Sequence, residues 1–146
     1  ASVQPVHIAN DIPFIEQYWP HIREEVYAFR SMKAAGIPMA FGSDVPIETM
    51  NPFLGIYSAI SRRQNNDPHH SVWQSSECLS PETAIDAYTL GSAMASRSEN
   101  ARGLLAENYL ADLIVVEDYT RLGPDYWREA QSLFTMIGGK VVYNAL

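Results

Sequence analysis

The apolar run Ile37-Pro38-Met39-Ala40-Phe41 ends on Gly42-Ser43-Asp44 and is followed by Val45-Pro46. A short apolar run bounded by turn residues is the pattern of a strand buried on both faces of a parallel sheet. This one closes on a carboxylate. Parallel α/β folds keep their chemistry at the carboxyl ends of strands, where loops gather side chains from several of them. Asp44 therefore stands where such a fold places a catalytic or metal-ligating acid. The plain alternative, on local sequence alone, is that Asp44 caps the turn before Pro46.

The flanking segments support a parallel arrangement. Ser2 to Val6 reads as a strand ended by Pro5, with His7 just beyond it. Ile8 to Pro20 reads as loop, with Pro13 and Pro20 as breakers. Ile22, Val26, Phe29 and Met32 recur at helical spacing, with Glu24 and Glu25 in the first turn and Gly36 as the C-cap. Strand, helix and strand within roughly 40 residues make a βαβ unit, which implies parallel strands. A second helix is predicted from Pro52 to Arg62, with Leu54, Ile56, Tyr57 and Ile60 as its apolar face.

Arg63 to Glu77 is polar and is expected to be a mobile loop. Ser80-Pro81-Glu82 opens a marked helix, whose small residues Ala84, Ala87, Gly91 and Ala95 allow close packing. Leu113 to Val116 reads as a short buried strand. Leu133 to Ile137 and Lys140 to Tyr143 flank Gly138-Gly139, a tight hairpin connection. These strands follow the α/β part, so they form a separate β layer. The expected units are residues 1–102 and 103–146.

Composition narrows the function. The chain is 47% apolar, enough for a real core. Its net charge is −7 and its ten Lys and Arg are scattered, which excludes the concentrated basic surface that nucleic acid or an anionic membrane requires. No apolar stretch approaches the ~20 residues needed to span a bilayer. The single cysteine, Cys78, cannot form an internal disulfide and is compatible with a reducing cytoplasm. Ala1-Ser2-Val3-Gln4 begin inside an apparent strand, an opening expected of a fragment.

The order of the motifs is more specific than any one of them. Ser2-Val3-Gln4-Pro5-x-His7 is followed by Ala35-Gly36-Ile37-Pro38-x-Ala40-Phe41-Gly42-Ser43-Asp44-x-Pro46, then by Asn51-Pro52-Phe53 and a helix ending in Arg62. Leu79-Ser80-Pro81-Glu82-x-Ala84-Ile85-x-Ala87-Tyr88-Thr89, Gly103-x-Leu105 with Ala111-Asp112-Leu113-Ile114-Val115, and Gly138-Gly139-Lys140-Val141-Val142-Tyr143 complete the series. Taken together, in this order, they resemble the amidohydrolase superfamily, and specifically its amidohydrolase-3 group, over essentially the whole chain. Asn108 stands where the Gly103 motif of that family usually has a second Gly.

This resemblance implies the C-terminal portion of a (β/α)8 barrel, its last two strands and helices, followed by part of a small β-sandwich. It implies a metal-dependent hydrolase of amide-type, non-peptide C–N bonds in a small-molecule substrate. Asp44 would match the family's eighth-strand Asp, a ligand or close neighbour of a divalent metal (zinc is expected) and the proton shuttle. His7 would match a His after strand seven that lies near substrate. The family's other metal ligands have no counterpart here, so the active site implies either the N-terminal part of the barrel or a second copy as partner. A chain with one carboxylate and one His is expected to be inactive alone.

Other features read as bland. His69-His70 reads as part of a solvated loop, Cys78 has no His or Asp motif beside it, and Ser43 lacks the elbow motif of serine hydrolases. Trp19, Trp73 and Trp127 read as packing residues, with Trp73 able to touch substrate if its loop covers the site. The rival reading of the whole chain is a non-catalytic domain that works by self-association or partner binding.

Overall fold

A computed structural model describes residues 1–146. Strand β1 (Ser2–Val3) pairs in parallel with β2 (Ala40–Phe41), setting Ser2 opposite Ala40 and Val3 opposite Phe41. Both strands are shorter than predicted. Pro5 and Pro38 have no N–H to give a ladder, so neither prolongs it; Pro5 instead opens a 3-10 turn, Pro5–His7. Backbone bonds from Ala40 to Ala1 (2.8 Å) and from Gly42 to Val3 (3.1 Å) hold the pair in place.

Two predictions for the crossover are corrected. The stretch read as loop is a helix, α1 (Ile8–Tyr18), with Pro13 inside it. Ile8, Ala9, Ile12 and Ile15 recur on one side and are all buried. Burial of an Ile contributes roughly 1.5–3 kcal/mol, which outweighs the one backbone bond that a proline withholds. Conversely, the helix predicted from Ile22 is reduced to α2 (Phe29–Ala34), preceded by a 3-10 turn at Arg23–Glu25. Tyr27 adopts a left-handed backbone, φ 54°, which stops any helix continuing from Val26. Its hydroxyl donates to Asp11 at 2.5 Å, so a tertiary bond is made where the helical one is lost. Gly36, φ 71°, follows α2 as the predicted C-cap glycine.

Helix α3 (Pro52–Ser61) starts where predicted, with the Asn51 side chain accepting from the Phe53 amide at 3.0 Å. It buries Phe53, Ile56, Tyr57 and Ala59, while Leu54 and Ile60 of the predicted face are only half-buried. Helix α4 (Pro81–Asp86), capped by Ser80, runs through a π-helical stretch, Ala87–Gly91, into α5 (Ser92–Ala95). This long element lies against β2. The Gly91 α-carbon faces the Met39 carbonyl so closely that any Cβ would overlap it, and the Ser92 hydroxyl donates to the Phe41 carbonyl at 2.8 Å. The core between these elements is aromatic, with Phe41 set 5.4 Å from Phe29 and 5.5 Å from Tyr88, ring centre to ring centre.

Strands β3 (Leu113–Val115), β4 (Phe134–Ile137) and β5 (Lys140–Asn144) form an antiparallel sheet in that order. Gly138 and Gly139 both take positive φ, 56° and 75°, the backbone that a two-residue hairpin turn demands. Asn108 likewise takes φ 68°, which Asn tolerates, so the turn survives without the family's glycine. The predicted burial of Leu113 to Val116 is only partial: Leu113 and Val116 are half-buried, Val116 against the core, whereas Ile114 and Val115, on opposite faces of the strand, are exposed. Between β3 and β4, α6 (Tyr126–Glu129) carries Trp127 into the same core as Phe29 and Phe41. Tyr119 and Phe53 flank its indole at 4.9 and 6.1 Å.

Candidate active site

Two segments that leave the adjacent parallel strands meet at His7 and Asp44. His7 ends the 3-10 turn after β1, and Asp44 lies three residues past β2. Asp44 takes a left-handed backbone, φ 57°, a conformation that Asp and Asn accept more readily than other residues with a Cβ. Its carbonyl accepts from Ile47 (2.9 Å) and Glu48 (3.2 Å), which turns the following loop back on itself. The result is a direct side-chain contact across 37 residues of sequence: His7 Nε2 lies 2.9 Å from Asp44 Oδ2. The other ring nitrogen, Nδ1, lies 3.5 Å from Glu48 Oε1, and the Asn10 amide donates to that same oxygen at 3.1 Å.

The structure thus brings together both residues singled out in the sequence. It adds two that sequence reasoning missed, Glu48 and Asn10. Asn10 follows His7 by three residues on the first turn of α1, a helical spacing, but α1 was read as loop. Behind the site, Tyr88 reaches the Gly42 carbonyl at 3.4 Å. Burial pushes its phenol up to about 12, against a lowering by the Ser43 hydrogen bond, so it remains a donor at neutral pH.

The remaining sequence candidates lie elsewhere. His69 is exposed and His70 Nδ1 lies 3.5 Å from Asp67. Burial pushes the Cys78 thiol up, the opposite of an activated nucleophile, although nearby Arg62 pulls it down. Trp73 packs on the Arg62 guanidinium, 5.0 Å from ring centre to Cζ, and donates to Glu16 at 2.6 Å. Trp127 is buried, but Trp19 is exposed and does not act as a packing residue. A cavity of about 780 Å³ lies between α1, Arg23 and residues 70–77, and neither His7, Asp44 nor Glu48 lines it. It is not the site of the predicted chemistry.

The segment from Arg63 to Glu77, predicted as mobile, is tied at several points. Arg62 is fully buried and donates to the Trp73 carbonyl (3.1 Å), the Tyr27 carbonyl (2.8 Å) and Gln74 Oε1 (2.7 Å). Arg63 donates to the carbonyls of Pro68 and His70. Burial lowers the Arg62 pKa to about 10, against a raising by nearby Cys78 and Glu77, which still leaves it charged at neutral pH.

No three His, Cys, Asp or Glu side chains converge to hold a metal ion. Asp44 Oδ1 accepts no hydrogen bond from the protein, since His7 engages Oδ2. The donor set suits a hard divalent ion through that one oxygen only, and any further ligands would have to come from outside these residues.

The amidohydrolase family model matches residues 1–143. The chain is 35% identical over 145 residues to "Putative amidohydrolase YtcJ" of Bacillus subtilis (strain 168), covering 98% of this chain and 27% of that protein. It is 31% identical over 151 residues to "Protein LONG AFTER FAR-RED 3" of Arabidopsis thaliana, covering 98% of this chain and 24% of that one. Among solved structures it resembles an uncharacterized metal-dependent hydrolase from Pyrococcus horikoshii OT3, with TM-score 0.61 and 26% identity over 74% of this chain and 22% of the other. A metal-dependent hydrolase from Pyrococcus furiosus gives TM-score 0.52 and 25% identity over 74% of this chain and 21% of the other. The chain therefore spans about a quarter of the length of the relatives it matches. With the family model covering all but its last three residues, this chain belongs to the amidohydrolase family.

Proposed function

We propose that this chain supplies one edge of the active site of a metal-dependent hydrolase that cleaves amide-type, non-peptide C–N bonds in small molecules. The observation that carries this reading is the His7–Asp44 contact at the carboxyl ends of two neighbouring parallel strands. In this reading β1 and β2 are the seventh and eighth strands of a (β/α)8 barrel. Residues 103–146 contribute strands to a β-sandwich, and residues 1–102 belong to the barrel.

Asp44 acts as general base toward the attacking water and returns that proton to the leaving nitrogen. Its free Oδ1 is one donor to a divalent ion, for which zinc is the expected identity. When bound, such an ion polarises the scissile carbonyl and makes water a better nucleophile. His7 sits on the substrate side and exchanges its Asp44 partner for a substrate oxygen when substrate enters. The remaining ligands come from the N-terminal part of a barrel or from a second copy, so the 146 residues alone are inactive. The lone Cys78 suits a cytoplasmic setting.

The test is hydrolysis of a panel of formamides and N-acyl amines by a polypeptide that carries this chain together with all barrel strands. Metal-dependent release of amine, abolished by Asp44→Asn, is expected. Release that is indifferent to chelator and to that substitution would overturn the reading. A second reading, association without catalysis, is favoured by the exposed apolar side chains of β5, Val141, Val142 and Tyr143. It predicts a stable oligomer with no hydrolytic activity in the same preparation.

A further inference from the structure

A second cavity, about 420 Å³, opens between α2 and the start of α4, and neither His7 nor Asp44 lines it. Its walls are Arg30, Lys33, Cys78, Leu79, Ser80 and Thr83, so two cations and no carboxylate face it. That sign is unexpected in a chain of net charge −7, whose Arg23, Arg102, Arg121 and Arg128 each lie beside an acid. Arg30 and Lys33 stand three residues apart on α2, where like charges on one helix face repel. The Arg30 charge is felt across the cavity at Cys78: burial raises that thiol's pKa, and the Arg62 and Arg30 charges pull it back. Glu77, one residue before Cys78, is committed elsewhere. Its carboxylate accepts from the Ser31 hydroxyl at 2.5 Å and the Ser31 amide at 3.0 Å, which ties α2 to the segment carrying the opposite wall.

The hydrogen-bonding groups of the cavity are as one-sided as its charge. Lys33 Nζ can only donate, and it does so to the Thr83 hydroxyl. Thr83 is buried, so its own hydroxyl proton needs an acceptor, and Ser80 Oγ lies 3.0 Å away. Ser80 Oγ also accepts from the Thr83 amide at 3.3 Å, which leaves the Ser80 proton without a protein acceptor. Lys33 has N–H groups to spare, and the Arg30 guanidinium, on the same wall, donates to no protein acceptor. A carboxylate, with one charge, would leave a cation unmatched; a phosphoryl group answers both cations and still has an oxygen for Ser80. We propose that this cavity binds a phosphoryl group, as inorganic phosphate or as the end of a phosphomonoester, with Arg30 and Lys33 meeting its charge and Ser80 donating to a further oxygen. The site shares no residue with His7, Asp44 or Glu48 and stands whether or not the hydrolase reading does.

The test is a titration of the 15N-labelled full chain with inorganic phosphate at about pH 8, where phosphate is largely the dianion, at constant ionic strength. Amide signals of residues 30–33 and 78–83 are expected to shift saturably, while chloride at the same ionic strength moves them little. Arg30→Gln and Lys33→Gln should each weaken phosphate binding about tenfold or more, the worth of one charge-assisted hydrogen bond. Both side chains are exposed, and the amide spectra report whether each variant is folded. Lys140→Gln removes the same charge from β5, outside the cavity, and should leave binding unchanged. Glycerol phosphate separates the two sources: binding tighter than that of phosphate assigns the site to a phosphomonoester, and equal or weaker binding assigns it to the free ion. Failure to saturate at tens of millimolar phosphate would overturn the proposal, as would an equal response to chloride. So would a folded Arg30→Gln, Lys33→Gln double variant that binds as wild type does, or a Lys140→Gln variant weakened as much as either.

Discussion

Asp44 occupies a backbone conformation that few side chains accept, and this decides which variant is informative. Asn tolerates the left-handed region as Asp does, whereas Ala there costs about 1–2 kcal/mol. Asp44→Asn should therefore leave the thermal midpoint nearly unchanged while, on the proposed role of Asp44 as general base, lowering turnover of a complete hydrolase by orders of magnitude. Asp44→Ala should show both losses, and calorimetry beside kinetics separates them. Asp44 and His7 were legible in the sequence because each closes a recognisable strand motif. Glu48 was not, because its inward direction depends on the φ of Asp44, which no periodicity encodes. A second residue-scale expectation concerns Glu77. Burial raises its pKa, but hydrogen bonds from the Ser31 hydroxyl and amide and the Arg30 amide, with the Arg62 charge, outweigh this and hold it below the usual carboxylate range. A depressed folded-state pKa contributes stability that is complete above the unfolded value and is lost as pH falls through the folded one. The difference in thermal midpoint between wild type and Glu77→Gln should thus shrink between about pH 5 and about pH 3.

At the scale of elements, the helix α3 and the polar segment after it are joined by one buried cation. Three acceptors and two aromatic faces, Trp73 at 5.0 Å and Phe29 at 6.0 Å, surround the Arg62 guanidinium. A lysine cannot reproduce that planar fork. Arg62→Lys should cost about 2 kcal/mol or more in urea denaturation and should speed proteolysis within residues 63–77. The ties that hold this loop were not legible in the sequence, because polarity describes the segment's surface and not the side chain beneath it. The α1 prediction failed for a related reason: Pro13 and Pro20 were weighed as breakers, while the Ile8, Ile12, Ile15 stripe that overrides Pro13 was passed over. The small-residue face of α4 and α5 was legible, and Gly91 shows why it must be small. Gly91→Ala drives a methyl group into the Met39 carbonyl and should cost about 1–3 kcal/mol, measured as a lowered urea midpoint.

At the scale of the molecule, the two sheets differ in how well they are covered. The β2 strand is covered by α5 and the π-helical stretch before it, whereas Ile137, Val141, Val142 and Tyr143 of the hairpin stand 49–59% exposed. Uncovered apolar strands pair with whatever edge they meet. The isolated chain should therefore associate with rising concentration in sedimentation velocity, and Val142→Lys should shift it toward monomer. The order of elements was legible from the series of motifs, but the burial of β3 was not, since an apolar tetrapeptide looks the same whether or not something lies on it. The two-residue ladder between β1 and β2 also has a consequence in time. His7 and Asp44 are neighbours only after a 37-residue excursion has closed, and so few ladder bonds give that closure little reward of its own. The pair comes together late in folding and parts early on warming, so the His7–Asp44 contact should vanish at temperatures where the helices are still intact.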